Sequence, residues 1–159
     1  MPNMTYEEYL DNRQREYNSL PIFYAFSNKQ FKEAMEARGL TEHDTDQIFA
    51  LPGGMGGYYL RKDAEKIRDY FNAPDPLPDL MNDPEFATNA FFYEMCNHEY
   101  GINWEADYDV CQCFGSCEFG EEKTYLDYLR EMGYDDYVVG AYCKARDEYF
   151  KLAREGEWF

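Results

Sequence analysis

The stretch DPEFATNAFFYEMCNHEYG, residues 83–101, carries both a start and a stop signal for one long helix. Asp83 is suited to cap the free backbone amides of the first turn, and Pro84 has the backbone angle that a first helical residue needs. Gly101 is typical of a helix end, because glycine adopts backbone conformations that other residues avoid. We therefore expect a helix from Pro84 to about residue 99.

Helical patterns continue on the C-terminal side of this stretch. Helices are expected over about residues 124–132 and 136–155, separated by Gly133, and a shorter one over about 106–114. The last helix has one apolar face at helical spacing, formed by Val138, Ala141, Tyr142, Ala145, Tyr149 and Leu152.

The N-terminal half combines helices with sheet signals. Apolar runs on both sides of the glycine-rich turn PGGMGG, residues 52–57, predict a β-hairpin, and PIFYAF, residues 21–26, predicts a short buried strand. The helices expected here are residues 6–16, opened by a Thr5–Glu8 capping box, a segment between Ser27 and Gly39, and residues 63–72 with Ala64, Ile67 and Phe71 inward. The predicted fold class is α+β, predominantly helical, with a small antiparallel sheet in the N-terminal half.

Length and proline content predict the domain organisation. The 159 residues suit a single domain over residues 1–159. The stretch APDPLPDLMNDP holds four of the seven prolines and is typical of a linker. The alternative is therefore two lobes, an α+β lobe over residues 1–72 and a helical lobe over residues 83–159, joined by the proline-rich segment 73–82.

The charge balance argues against several classes of function. Acidic residues number 32 against 15 Lys and Arg, which gives a net charge of −17. Binding to DNA or RNA by phosphate neutralisation needs a positively charged protein surface, and so does binding to an anionic membrane through a polybasic segment. Aromatic residues make up 19% of the chain, which argues against intrinsic disorder. We expect a compact, strongly acidic protein.

The negative charge is concentrated in one segment. Residues 73–122 contain 12 of the acids and no Lys or Arg. One interpretation is a solvated acidic surface that keeps the protein in solution. The other is an interaction surface for a basic partner or a cation, since complementary charge speeds encounter and selects partners.

Four residues in this segment are candidate ligands of a zinc ion, namely His98, Cys111, Cys113 and Cys117. Zinc prefers thiolate and imidazole ligands offered close together, and the surrounding carboxylates would attract a cation. Cys96 would point away from His98 on a helix. The alternative is that the cysteines are small buried apolar residues, a role that free cysteine often has.

The signals for catalysis are weak. His98 beside Glu99 suggests a base, but adjacent helical residues diverge, and this pair is more typical of capping hydrogen bonds. The other histidine, His43, lies in the polar stretch TEHDTD. The glycines of residues 53–57 lack the Lys-Ser/Thr pair of a phosphate-binding loop. The sequence predicts that the protein is not an enzyme.

The compartment is predicted from the cysteines and the N-terminus. Five cysteines, an odd number, and an N-terminus without an apolar signal region indicate a reducing compartment. No stretch approaches 18 consecutive apolar residues, so no transmembrane helix is expected. We expect a cytoplasmic protein.

Several long stretches are similar to a known group of sequences. They are SLPIFYAFSNKQFKEAMEARGL (residues 19–40), GGYYLRKDA (56–64), FFYEMCNHEYGINWEADYDVCQCFG (91–115) and REGEWF (154–159). In these stretches the chain resembles an uncharacterised family of small acidic proteins encoded on phages and mobile elements of gut-dwelling Gram-positive bacteria. The resemblance covers most of the chain. It implies a place in the host bacterial cytosol, and it implies that Cys96 is not an essential ligand.

The resemblance also implies a function. Small acidic proteins of mobile elements often inhibit host defence, as anti-CRISPR proteins do. CRISPR nucleases hold nucleic acid in positively charged channels, which a dense carboxylate surface can occupy. We therefore expect a non-enzymatic inhibitor of a type II CRISPR nuclease that blocks DNA loading. Its partner would be a basic nucleic-acid-binding protein, with neither nucleic acid nor membrane bound directly.

Six carboxylates are expected to form the partner-binding surface, and they are Glu105, Asp107, Asp109, Glu118, Glu121 and Glu122. The alternative function is a zinc-binding structural or regulatory module of a phage or mobile element.

Overall fold

The computed structural model describes residues 3–158; Met1, Pro2 and Phe159, which the predicted domain includes, lie outside the described residues. The α-helices are α1 (Tyr6–Asn18), α2 (Asn28–Glu36), α3 (Ala64–Asn72), α4 (Leu77–Leu80), α5 (Pro84–Asn97), α6 (Ala106–Cys111), α7 (Tyr125–Glu131) and α8 (Asp136–Glu155). The strands are β1 (Ile22–Tyr24), β2 (Ile48–Ala50) and β3 (Gly57–Leu60). Short 3-10 turns occupy Thr45–Gln47, Arg61–Asp63 and Gln112–Phe114. Within residues 3–158, none of the helices combines the length with the apolar composition that a membrane span requires.

The strands form one antiparallel sheet in which β3 lies between β1 and β2. Strands β2 and β3 are the two arms of the predicted hairpin. In its turn Gly56 has a φ of +73°, and a side chain there would lie 2.9 Å from the ring of Phe26. Glycine meets both constraints, since it has no Cβ and tolerates positive φ. The predicted fold class, α+β and predominantly helical with a small sheet in the N-terminal half, is confirmed.

Helix α1 begins with the reciprocal bonds of a capping box. The Thr5 N–H donates to Glu8 Oε2 at 2.8 Å, and the Glu8 N–H donates to Thr5 Oγ1 at 3.2 Å. These bonds satisfy amides that a helix N-terminus otherwise leaves free. At the start of α2, the Gln30 N–H donates to Ser27 Oγ at 3.2 Å. Both helices therefore begin at the residues that the sequence signals indicate.

Contacts divide the chain into two compact units. Unit 1 contains residues 1–12 and 75–159, and unit 2 contains residues 13–74. The division falls inside α1, whereas the predicted lobes place residues 1–72 together. Tyr6 and Tyr9 account for the difference, because both are buried in the core of unit 1 and contact the ring of Phe86.

The core of unit 1 is built on α5 and α8. Phe91 of α5 and Tyr142 of α8 are fully buried, with ring centroids 5.0 Å apart. Phe114, from the turn after α6, packs on Phe91 at 4.8 Å. The apolar face predicted for α8 is buried up to its last position, where Ala153 is buried and Leu152 is only half-buried.

The core of unit 2 lies between the sheet and α2. Phe23, Met35 and Ile48 are its buried residues. The inward position expected for Phe71 on α3 is wrong, since this side chain is 56% exposed. Ile67 is buried on the same helix, and Tyr70 packs on Tyr17 with ring centroids 6.2 Å apart. Tyr70, rather than the neighbouring Phe71, therefore makes the aromatic contact of α3 with α1.

The proline-rich segment is ordered by unit 1 from Asp75 onward. Asp75 Oδ1 accepts hydrogen bonds from the Tyr9 hydroxyl and from the Leu77 N–H, both at 2.9 Å. Leu77 and Met81 are buried in the same core. The segment expected to be a linker therefore contains helix α4, because its apolar residues have a core to enter.

Candidate metal site and acidic docking surface

The end of α5 presents Glu94 and His98 on one face, because residues four apart on a helix are neighbours. The helix ends earlier than residue 99. Glu99 adopts a left-handed backbone with φ of +51°, and the Tyr100 N–H donates to Met95 O at 3.0 Å. This is the geometry of a helix end that usually has glycine at the left-handed position.

Glu94, His98 and Cys113 form a group that could hold a metal ion. Glu94 Oε2 lies 3.3 Å from His98 Nε2, and Cys113 Sγ lies 3.6 Å from each of those atoms. Tetrahedral zinc has bonds of about 2.0 Å to nitrogen or oxygen and about 2.3 Å to sulfur. This geometry separates O and N ligands by about 3.3 Å and sulfur from either by about 3.5 Å. All three edges of the triangle therefore match one face of a tetrahedral zinc site.

Neighbouring side chains fix the carboxylate of Glu94, which is only 5% exposed. The Tyr6 hydroxyl donates to Oε1 at 3.0 Å, and Asn97 Nδ2 donates to Oε2 at 3.2 Å. Such outer hydrogen bonds orient ligands in known metal sites. Burial, and then the charge of Glu94, raise the pKa of the Cys113 thiol to about 12. Without a cation the thiol is protonated, and a bound metal would displace that proton.

The ligand set predicted from the sequence does not converge as a whole within residues 3–158. Only His98 and Cys113 join the group, and Glu94 is its third member. Cys111 is fully buried in the core of unit 1, Cys117 is half-buried away from the group, and Cys96 is exposed. Cys111 and Cys113 diverge because residues two apart on a helical backbone face different sides. The Glu-x3-His spacing on α5 was the signal that would have identified Glu94.

The net charge is confined to one of the two units. Unit 1 contains 23 acids and 6 Lys and Arg, which gives −17, whereas unit 2 contains 9 of each. The excess found in residues 73–122 is therefore part of a larger asymmetry. Unit 1 is strongly acidic and unit 2 is neutral.

The six predicted partner-binding carboxylates have two kinds of environment. Glu118, Glu121 and Glu122 are exposed, and Glu105, Asp107 and Asp109 are half-buried. Asp107 Oδ1 accepts hydrogen bonds from the hydroxyls of Tyr100 and Tyr142, both at 2.6 Å. Asp109 Oδ2 accepts one from Asn103 Nδ2 at 2.8 Å. Asp107 and Asp109 therefore support the fold, whereas the side chains of Glu118, Glu121 and Glu122 are exposed to solvent.

Large apolar side chains are exposed among these carboxylates. Trp104 is 78% exposed, Ile102 68% and Phe119 43%. The rings of Trp104 and Phe119 are 6.1 Å apart and nearly perpendicular, and Phe119 contacts Tyr108 at 5.2 Å. Trp104, Phe119 and Tyr108 line a small cavity of about 50 Å³ together with Glu105 and Glu121. We call this cavity the Trp104 recess.

A larger cavity lies in unit 2 and has a volume of about 900 Å³. Its walls come from the β2–β3 hairpin and from the start of α2, and include Phe26, Phe31 and Met55. Its polar lining residues within 3–158 are Ser27, Asn28, Thr45 and Tyr58, and none of the described lining residues is a carboxylate, histidine, cysteine or lysine.

Comparison with known proteins identifies a family. Residues 5–123 match the model of DUF7659, a family of unknown function. The matched range contains α1 to α6, the whole sheet and the metal-ligand group, and it includes Trp104, Tyr108 and Phe119 of the Trp104 recess. No curated protein and no solved structure gives a significant match. The chain belongs to the family of unknown function DUF7659.

Proposed function

We propose that this protein is a non-enzymatic binding protein that docks on a basic protein surface through unit 1. The observation that carries the proposal is the coincidence of charge and exposed aromatic surface. The whole net charge of −17 belongs to unit 1, and Trp104 and Phe119 are exposed beside Glu121. Exposed aromatic residues are typical anchors of protein interfaces, and the carboxylates select a basic partner.

Proteins that handle nucleic acid are the class of partner with the required surface. Their Lys and Arg residues are arranged to neutralise phosphates, so a dense carboxylate surface competes for the same positions. The most specific form of the proposal is an inhibitor of a type II CRISPR nuclease that blocks DNA loading, an anti-CRISPR protein. The resemblance to small acidic proteins of phages and mobile elements supports this choice of target.

The test is DNA cleavage by a guide-loaded type II CRISPR nuclease, titrated with this protein before or after DNA is added. The informative variant reverses the three exposed glutamates, Glu118→Lys, Glu121→Lys and Glu122→Lys. The matched control reverses three exposed acids of the neutral unit, Glu36→Lys, Glu65→Lys and Asp69→Lys. Both variants change the net charge equally, so only the position of the charge differs.

We expect the wild-type protein and the control to inhibit when added before DNA, and neither to inhibit after loading. The variant at 118, 121 and 122 should lose about tenfold or more in potency, as expected when charge complementarity is reversed. Equal potency of the two variants would contradict the proposed surface. Failure of the wild-type protein to inhibit several such nucleases at large excess would remove this target.

The triangle of ligand atoms favours a second candidate function, a zinc-binding structural or regulatory module. We propose that Zn²⁺ binds Glu94 Oε2, His98 Nε2 and Cys113 Sγ. The match of all three separations to tetrahedral geometry supports this proposal. Such an ion would join α5 to the 3-10 turn Gln112–Phe114 and would neutralise the buried Glu94 carboxylate.

Metal analysis tests the zinc site directly. Protein purified under reducing conditions and dialysed with zinc should contain one zinc per chain, and a chelator should lower its Tm. Cys113→Ser should abolish zinc retention, whereas Cys117→Ser, a half-buried cysteine outside the group, should retain it. Cobalt in place of zinc should give a sulfur-to-metal absorption band that only Cys113→Ser removes. A wild-type protein without zinc after this dialysis would contradict the site.

A further inference from the structure

We infer that the Trp104 recess binds an arginine side chain of the partner. This inference rests on the proposed docking function and names the chemical group that the surface recognises. The recess combines three features, namely an open aromatic face, three carboxylates that form no ion pair within residues 3–158, and a volume suited to one side-chain end. Each feature is visible in residues 104–128.

The aromatic part of the recess is exposed but held in place. Trp104 is 78% exposed, and its only ring contact among the described residues is with Phe119. A chain of ring contacts runs from Phe119 to Tyr108 at 5.2 Å and from Tyr108 to the buried Tyr128 at 5.7 Å. The core of unit 1 therefore supports this edge of the recess, while the Trp104 face is available to a partner. Tryptophan is the best aromatic partner for a cation.

The electrostatic part of the recess favours a cation. Glu105, Asp107 and Glu121 contribute three carboxylates, and none of the ion pairs within residues 3–158 involves them. The one basic residue of the lining is Lys123. Its ammonium is 3.1 Å from Glu131 Oε2 and donates to the backbone oxygen of Glu118 at 2.9 Å. The Lys123 charge is thus already matched, and the recess keeps an excess of negative charge.

Size and shape favour arginine over a larger ligand and over lysine. The volume of about 50 Å³ is far below the roughly 300 Å³ at which small-molecule pockets begin. A planar guanidinium can stack on Trp104 and at the same time donate two hydrogen bonds to one carboxylate. A lysine ammonium is more strongly hydrated and makes neither the stacked contact nor the bidentate pair.

The experiment compares two short peptides of equal length and charge, one alternating arginine with glycine and one alternating lysine with glycine. Binding is followed by calorimetry and by fluorescence in a Trp158→Phe background, in which Trp104 is the remaining tryptophan. We expect the arginine peptide to bind about tenfold more tightly than the lysine peptide. This ratio corresponds to about 1.4 kcal/mol, which lies in the upper part of the range for cation–π contacts. It should also change the Trp104 emission. Trp104→Ala should remove the preference, and Trp104→Phe should restore part of it.

Controls separate the recess from the general acidic surface. Phe26→Ala removes an equally exposed aromatic residue of unit 2 and should leave the arginine preference unchanged. Equal affinity for the two peptides, with weaker binding of both to the variant reversed at 118, 121 and 122, would overturn the arginine site and leave the docking function standing. If neither peptide binds, the arginine site is also overturned. The nuclease assay then tests the docking function independently.

Discussion

Asp107 and Glu121 line the same recess but have different roles. Asp107 accepts hydrogen bonds from two tyrosine hydroxyls, one of which belongs to the fully buried Tyr142. Glu121 is exposed and makes no ion pair among the described residues. The neighbours of a carboxylate therefore determine whether it stabilises the fold or remains on the surface. A single sequence does not show which neighbours it will have.

Substituting these two residues should separate their roles. Asp107→Ala leaves two tyrosine hydroxyls without their charged acceptor, and such hydrogen bonds contribute about 1.5–3 kcal/mol each. We expect the free energy of unfolding to fall by about 2–4 kcal/mol, since some loss is recovered by relaxation and by water. Glu121→Ala should change it by less than about 0.5 kcal/mol. Urea unfolding of both variants gives the measurement, and equal losses would contradict the assignment.

At the scale of elements, the features that depend on nearby residues, such as the start of a helix, could be predicted from the sequence. Thr5 and Glu8 cap α1 as their spacing predicts, because both partners lie within one turn. The metal-ligand group was only partly predictable, since Glu94 and Cys113 meet through packing of α5 against a later turn. For the same reason the spacing did not show that Tyr6 and Tyr9 pack in the core of unit 1. Long-range packing determines these positions, and a single sequence does not encode it in a local pattern.

The backbone conformation at the end of α5 should affect the stability of the protein. Glu99 holds a left-handed backbone, which is unfavourable for any residue with a Cβ. Glu99→Gly removes that cost but adds flexibility to the unfolded chain, so the net stabilisation should be about 0.5–1 kcal/mol. Glu99→Ala is the matched control, because it removes the same charge and keeps the Cβ. Thermal unfolding should rank glycine above alanine at this position; the opposite order would contradict the backbone assignment.

At the scale of the whole molecule, the buried tyrosine–aspartate network predicts alkaline instability. Burial is the largest cause that raises the pKa of Tyr142, and Cys111, Tyr100 and Asp107 add to it. An unfolded tyrosine ionises near pH 10. Below that pH the stabilisation is fully present, and above it the unfolded state loses a proton that the folded state retains. The free energy of unfolding should therefore fall as the pH rises above about 10.

Tyr142→Phe tests this pH dependence. The variant loses the hydrogen bond to Asp107, so it starts less stable at neutral pH. Its stability should then decline less steeply above pH 10, by up to about 1.4 kcal/mol per pH unit, the contribution of one proton. Urea unfolding at a series of pH values from neutral to alkaline measures both slopes. Identical slopes for the two proteins would show that Tyr142 does not contribute.

The asymmetry of charge is the property that most directly links fold and function. Unit 1 has a net charge of −17 and unit 2 has a net charge of zero, although both contain basic residues. Concentrating like charge on one unit destabilises it through self-repulsion, so the arrangement is costly for folding alone. The proposed docking on a basic protein would give this unfavourable concentration of charge a function.

The most direct test of this account is the affinity of the protein for a guide-loaded type II CRISPR nuclease, measured by calorimetry from about 50 to 200 mM salt, a range over which charge-driven binding weakens strongly. We predict binding that weakens steadily with salt. Reversal of Glu118, Glu121 and Glu122 should weaken it further, and reversal of Glu36, Glu65 and Asp69 should not. No binding at the lowest salt, or an affinity that neither salt nor the reversal at 118, 121 and 122 changes, would contradict the account.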